Sequence, residues 1–144
     1  MRTERGAAAV EFALVVPILL LLVFGIVQYG LFFYSMQSGT SAVGEAVRRV
    51  SVGDCTNVAD LKTFLKNRLG AATTADSAGL APVVTYTKAD GTSGYEVGGK
   101  VSVELTYPAL DIGLPFVPLP DDGNVIRTYV ARVEDTAASV GGCS

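Results

Sequence analysis

The sequence predicts an α+β protein in which a long N-terminal transmembrane helix extends into a small exported domain. A short helix and an approximately three-stranded antiparallel sheet complete that domain. Three observations carry this expectation. After Glu11 the next charged residue is Glu45, and the apolar segment 12–33, about 33 Å long as a helix at roughly 1.5 Å per residue, matches the roughly 30 Å hydrocarbon core of a bilayer. Beyond it, Val43, Ala46, Val47 and Val50 recur at helical spacing, so the helix is expected to leave the bilayer with one apolar stripe. Residues 100–107 then alternate, with Val101, Val103, Leu105 and Tyr107 on one face and Lys100, Ser102, Glu104 and Thr106 on the other. That is the pattern of a half-buried strand. A chain of 144 residues with net charge −3 accommodates one modest domain beside such a span.

Taken in order, the first element is too long for a cleavable secretory signal. That reading would use "MRTER" as the charged region and "TSA" at 40–42 as the cleavage site, but a signal's apolar region runs about 7 to 15 residues. Orientation by basic residues is balanced, since Arg2 and Arg5 on one side face Arg48 and Arg49 on the other. The few residues before the span, with the amino terminus as a further charge, favour a cytoplasmic N-terminus. Pro17 removes one helical hydrogen bond, to the Ala13 carbonyl, and predicts a kink. Gly39 and Gly44 weaken continuity, and Gly53 is the expected stop.

The second helix is read from "TNVADLKTFLKNRLG": Thr56 or Asn57 as N-cap, Asp60 in the first turn, apolar Val58, Leu61, Phe64 and Leu65, and Gly70 as the stop. Lys62, Lys66 and Arg68 are expected on its wet face. "AATTADSAG" reads as a loop, "PVVTYTK" as the first strand, 100–107 as the second and 125–134 as the third. Packed together, the strands can cover the Val43–Val50 stripe, which would otherwise face water. The connection "PALDIGLPFVPLPDDG" at 108–123 holds four prolines yet also Leu110, Ile112, Leu114, Phe116, Val117 and Leu119. Its apolar side chains are expected to cover the sheet edge and finish the core, the alternative being a partner-contacting or membrane-surface loop.

Glu11 is the unusual residue of the first element. A carboxylate costs about 2.5 to 3.5 kcal/mol at the centre of a membrane helix and less near its end, so a partner is expected. Arg5 lies six residues earlier, close to the opposite side of the helix. If the chain were cut between Gly6 and Ala7, the new ammonium of Ala7 would sit four residues before Glu11 on the same face, and the acid would fall near a helix N-terminus, where negative charge is favoured.

A basic leader ending in Gly6, four small or apolar residues, Glu11, Phe12 and a long apolar helix resemble the class III signal of type IV pilin-like proteins. More narrowly, "RGAAAVEFALVVPILLLLVFGIVQYG", with Pro17 inside it, resembles the opening of the TadE-like pseudopilins of tight adherence (Tad) pilus systems, and "NVIRTYVARVEDTA" is a weaker echo. The resemblance implies three segments: a basic leader at 1–6, a transmembrane helix at 7–34 and an extracytoplasmic domain at 35–144. It implies removal of the leader by a prepilin peptidase after Gly6, with Ala7 as the new N-terminus and Glu11, followed by Phe12, as the assembly determinant. The implied partners are a TadF-like protein, the major pilin or other pilins, the inner-membrane assembly platform and the lipid bilayer. Ala7 stands where many type IV pilins carry phenylalanine, so N-methylation does not follow from the resemblance.

No histidine, GxSxG, phosphate-binding glycine loop or HExxH is present, so the common acid–base and metal machinery has nothing to stand on. No enzymatic activity, cofactor or nucleic-acid partner is expected. Asp111, Asp121 and Asp122 raise the question of calcium, but their spacing is not that of an EF-hand loop and "PDDGN" is first a turn, so no metal site is assigned. Cys55 and Cys143 are the only cysteines. In an oxidising exported compartment their expected use is a single disulfide, against two unpaired thiols. Two functional classes follow: a pilin-like subunit of a Tad-type pilus, or a permanently anchored extracytoplasmic binding module that is never cut.

Overall fold

A computed structural model describes residues 3–55 and 57–134. Helix α1, Thr3–Ser51, is 49 residues long and continuous. Pro17 lies inside it without interrupting it, and so do Gly39 and Gly44. The helix ends two residues before the expected stop: Gly53, at φ 78°, belongs to the reversal that follows. No residue in 6–27 is buried, and Gln28 is the first that is. The exposed apolar surface of that half far exceeds the few hundred Å² that water-soluble monomers show.

The remaining elements are α2, Val58–Leu69; β1, Ala81–Thr87; β2, Lys100–Pro108; and β3, Asn124–Arg132. The sheet order is β1-β2-β3, antiparallel throughout, with Val84 opposite Val103 and Tyr107 opposite Val125. One face of the sheet packs on the second half of α1 and on α2, making two layers around a single core. The alternation of β2 is realised: Val101, Val103, Leu105 and Tyr107 are all buried and face Val43, Ala46, Val47 and Val50 within that core. The α+β expectation therefore holds, and each strand begins or ends within a few residues of its sequence-based bounds.

Asn57 is the N-cap of α2, its side chain accepting from the Ala59 amide at 2.9 Å; Thr56 lies outside the described residues. Leu61 and Leu65 are buried as expected, with Leu69 beside them, whereas Val58 in the first turn is exposed. On the expected wet face Arg68 is exposed and Lys62 and Lys66 are half-buried, and two of the three also find partners. Lys66 donates to the Ala75 carbonyl at 2.6 Å, and Arg68 pairs with Glu45 of α1. Arg49 completes the link, 3.6 Å from Glu45, 3.4 Å from Asp54 and stacked 4.8 Å from the Phe64 ring centroid. The Arg68 guanidinium holds the Glu45 carboxyl below its ordinary range, with Arg49 adding a smaller attraction. Arg49 and Arg68 tie α2 to α1 because α2 packs alongside the helix end that carries Glu45 and Arg49.

Gly39 has a purpose that helix propensity alone hides. Tyr107 enters from β2 and lies directly on the α1 backbone, its hydroxyl donating to the Ser35 carbonyl at 2.5 Å. A Cβ at position 39 would stand 1.9 Å from that hydroxyl oxygen and 2.7 Å from Cζ. Only glycine leaves room for the ring. Burial pushes the Tyr107 phenol up to about 12, so it is a neutral donor at ordinary pH.

Candidate assembly surface on the first helix

Gly6, Ala7, Glu11, Phe12 and Pro17 all lie in the exposed half of α1. A Cβ added at Gly6 would meet nothing within 4 Å, and Phe12 is 70% exposed. Among the described residues Glu11 makes no ion pair. The helix thus presents Glu11 and the apolar side chains after it as one open surface, with the Gly6–Ala7 bond at its start. The chemistry available there is recognition and packing.

The second part of the surface departs from the first expectation for 108–123 and lies nearer its alternative. The connection between β2 and β3 does not finish the core over the sheet edge. Only Ala109 and Leu119 join the core; between them the chain runs along α1 toward the apolar half. Gln28 holds it there, its Nε2 donating to Asp111 Oδ1 at 3.0 Å and its Oε1 accepting from the Ile112 amide at 3.0 Å. The Tyr29 hydroxyl donates to the Pro118 carbonyl at 3.0 Å, and the Leu110 amide donates to Ser35 Oγ at 3.1 Å. Val117 reaches Gly25, so contacts of the C-terminal domain with α1 start well before residue 35. The signal for this was in the sequence, because Gln28 is the one side-chain amide in segment 12–33. A polar side chain in such a run faces protein rather than lipid.

Asp111 is therefore engaged by Gln28 and by the Gly113 amide at 2.6 Å, whereas Asp121 and Asp122 lie in a different part of the connection. Those two occupy consecutive left-handed positions, φ 50° and 53°, in the turn that leads into β3. Among the described residues there is no cluster of three or more His, Cys, Asp or Glu side chains that could hold a metal ion. Cys55 is buried just after α1, and Cys143 lies outside the described residues.

One N-terminal helix long and apolar enough to cross a membrane, Gly6–Ser51, joined to a C-terminal α+β domain, fits a single-pass membrane anchor. A model of the family described as TadE-like protein matches residues 6–48, from the glycine before Ala7 into the stripe that enters the core, as far as Val47. Over that segment the chain is similar to the TadE-like family, consistent with a TadE-like, pilin-like protein. No curated protein and no solved structure matches the chain.

Proposed function

We propose that the chain is a pilin-like structural subunit of a Tad-type pilus that acts in pilus biogenesis after a prepilin peptidase cuts between Gly6 and Ala7. The observation that carries this reading is the TadE-like match, which opens at Gly6 and takes in Glu11 and the whole apolar half of α1. The electrostatic argument supports it. Cleavage would create an ammonium one helical turn before Glu11, and two charges that close attract far more strongly in a low-dielectric setting than in water. In this reading the protein crosses the cytoplasmic membrane once, with a short cytoplasmic N-terminus and an exported domain. Its partners are the peptidase, the assembly platform, the major pilin and a TadF-like protein, and its role is structural. Cys55 pairs with Cys143; that no described cysteine is free supports this pairing.

Glu11→Gln keeps the shape of the side chain and removes its charge. The variant is expected to be inserted and cleaved, with its C-terminal domain folded, while pilus production and copurification with partner pilins fall sharply. Glu11→Asp should be intermediate, because its shorter reach weakens the pair without deleting it. Bulky residues at Gly6 should fail one step earlier, at cleavage. Normal piliation by Glu11→Gln would reduce the acid to an incidental interfacial residue.

A further inference from the structure

We propose that the loop between β2 and β3 is a membrane-interface element: residues 112–117, clamped against α1 by Gln28 and Tyr29, insert into the outer boundary of the lipid bilayer. The inference rests on α1 spanning a bilayer and adds a second contact with lipid to it.

The position of the loop follows from the helix. Gln28 lies five residues before Phe33, the end of the apolar segment, which is about 7 Å along the axis at roughly 1.5 Å per residue. A loop fixed at the level of Gln28 therefore sits about 5 to 10 Å below the edge of the apolar segment, the depth at which interfacial amphipathic elements bury their apolar faces. Were the helix one turn further out, the loop would still meet the headgroup boundary. Its surface is continuous with the exposed apolar surface of α1, because Val117 shares one apolar patch with Leu21, Leu22, Ile26 and Phe33.

The composition of the loop suits lipid. No charged side chain occurs in 112–120, while Phe116 is 79% and Ile112 47% exposed. Tyr29 and Phe33 of α1 are exposed and line the same patch as Val117, and aromatic side chains of this kind are enriched at membrane boundaries.

Part of the backbone of the loop is satisfied without water. Irregular chain at membrane depth is tolerated only where its polar groups are satisfied by protein. Here the Ala109 amide donates to the Gly123 carbonyl, Leu110 to Ser35 Oγ, Ile112 to Gln28 Oε1, Gly113 to Asp111 Oδ1 and Val117 to the Leu114 carbonyl. Pro115, Pro118 and Pro120 have no amide hydrogen to satisfy. Within 112–117 the amides of Ile112, Gly113 and Val117 are thus held by protein and Pro115 has none, which lowers the cost of placing the segment at the bilayer boundary, while those of Leu114 and Phe116 depend on the water of the headgroup region.

The chain contains no tryptophan, so Phe116→Trp, Leu20→Trp and Val83→Trp each carry a single fluorophore: at the loop tip, in the middle of the apolar segment and on the outer face of the sheet. Each full-length variant is reconstituted into phosphatidylcholine–phosphatidylglycerol vesicles and quenched either by acyl-brominated phosphatidylcholine or by iodide on both sides. Quenching of Phe116→Trp by brominated lipid is expected to approach that of Leu20→Trp and to exceed that of Val83→Trp several-fold, with iodide giving the reverse order. Ile112→Trp repeats the measurement and should behave like Phe116→Trp. If Leu20→Trp is quenched by brominated lipid while both loop variants respond to iodide like Val83→Trp, the anchor stands and the loop proposal is overturned. If Leu20→Trp also escapes brominated lipid, both fall. Loop variants shielded from both quenchers at high protein density, and quenched by brominated lipid only on dilution, would assign the surface to a second copy and also overturn the proposal.

Discussion

Gly39→Ala is expected to destabilise the C-terminal domain by about 2 kcal/mol, although alanine is the better helix former. Inside a helix, alanine is favoured over glycine by about 1 kcal/mol. Against that stands a Cβ placed 1.9 Å from the Tyr107 hydroxyl oxygen. The ring must leave its seat, at about 1 to 3 kcal/mol for overpacking and about 1 kcal/mol for the hydrogen bond to Ser35. Gly44 is the control, since a Cβ there meets nothing within 4 Å; Gly44→Ala should be neutral or stabilise by up to about 1 kcal/mol. Tyr107→Phe removes the atom that clashes first, so its combination with Gly39→Ala should cost less than the sum of the single changes. Denaturant unfolding of the detergent-solubilised chain, followed by near-UV circular dichroism, measures all four. Equal stabilisation by Gly39→Ala and Gly44→Ala would contradict the seating of Tyr107 on α1.

Loss of the proposed Cys55–Cys143 bond should have a larger effect still. A bridge between these positions closes a loop of about 89 residues and stabilises by about 4 to 5 kcal/mol in the chain-entropy model. The end of the described chain lies close by: the Glu134 amide, two residues after β3, donates to the Ser51 carbonyl at 2.9 Å, at the end of α1 and four residues before Cys55. Cys55→Ser, Cys143→Ser and reduction of the wild type are each expected to lower the midpoint of unfolding by a similar amount, and the double variant by no more than either single one. A nonreducing peptide map should recover the linked pair. Two alkylatable thiols in native protein taken from the envelope would exclude the bond.

The elements were legible because each is written in a local period. The apolar run of α1, the stripe from Val43 to Val50 and the alternation from Lys100 to Tyr107 each depend on residues a few positions apart. What was not legible depends on contacts between distant segments. Gly39 reads as a weak point of a helix until a tyrosine 68 positions later is seen to need its space. Lys66 and Arg68 read as a solvated face until α2 is laid beside Glu45 and the Ala75 carbonyl. The proline-rich connection carried enough apolar side chains to be assigned to the core, and local pattern could not distinguish burial under the sheet from a path along α1. Gln28, the lone amide in an apolar run, was the one local sign of that path.

The N-terminal residue of the mature chain tests the central claim most directly. Intact mass and N-terminal sequencing of protein extracted from membranes of cells with an active prepilin peptidase are predicted to give a chain that begins at Ala7, one helical turn before Glu11. Recovery of only the full-length chain beginning at Met1, from cells in which the same peptidase cleaves another pilin, would contradict the account and leave a permanently anchored, unprocessed protein in its place.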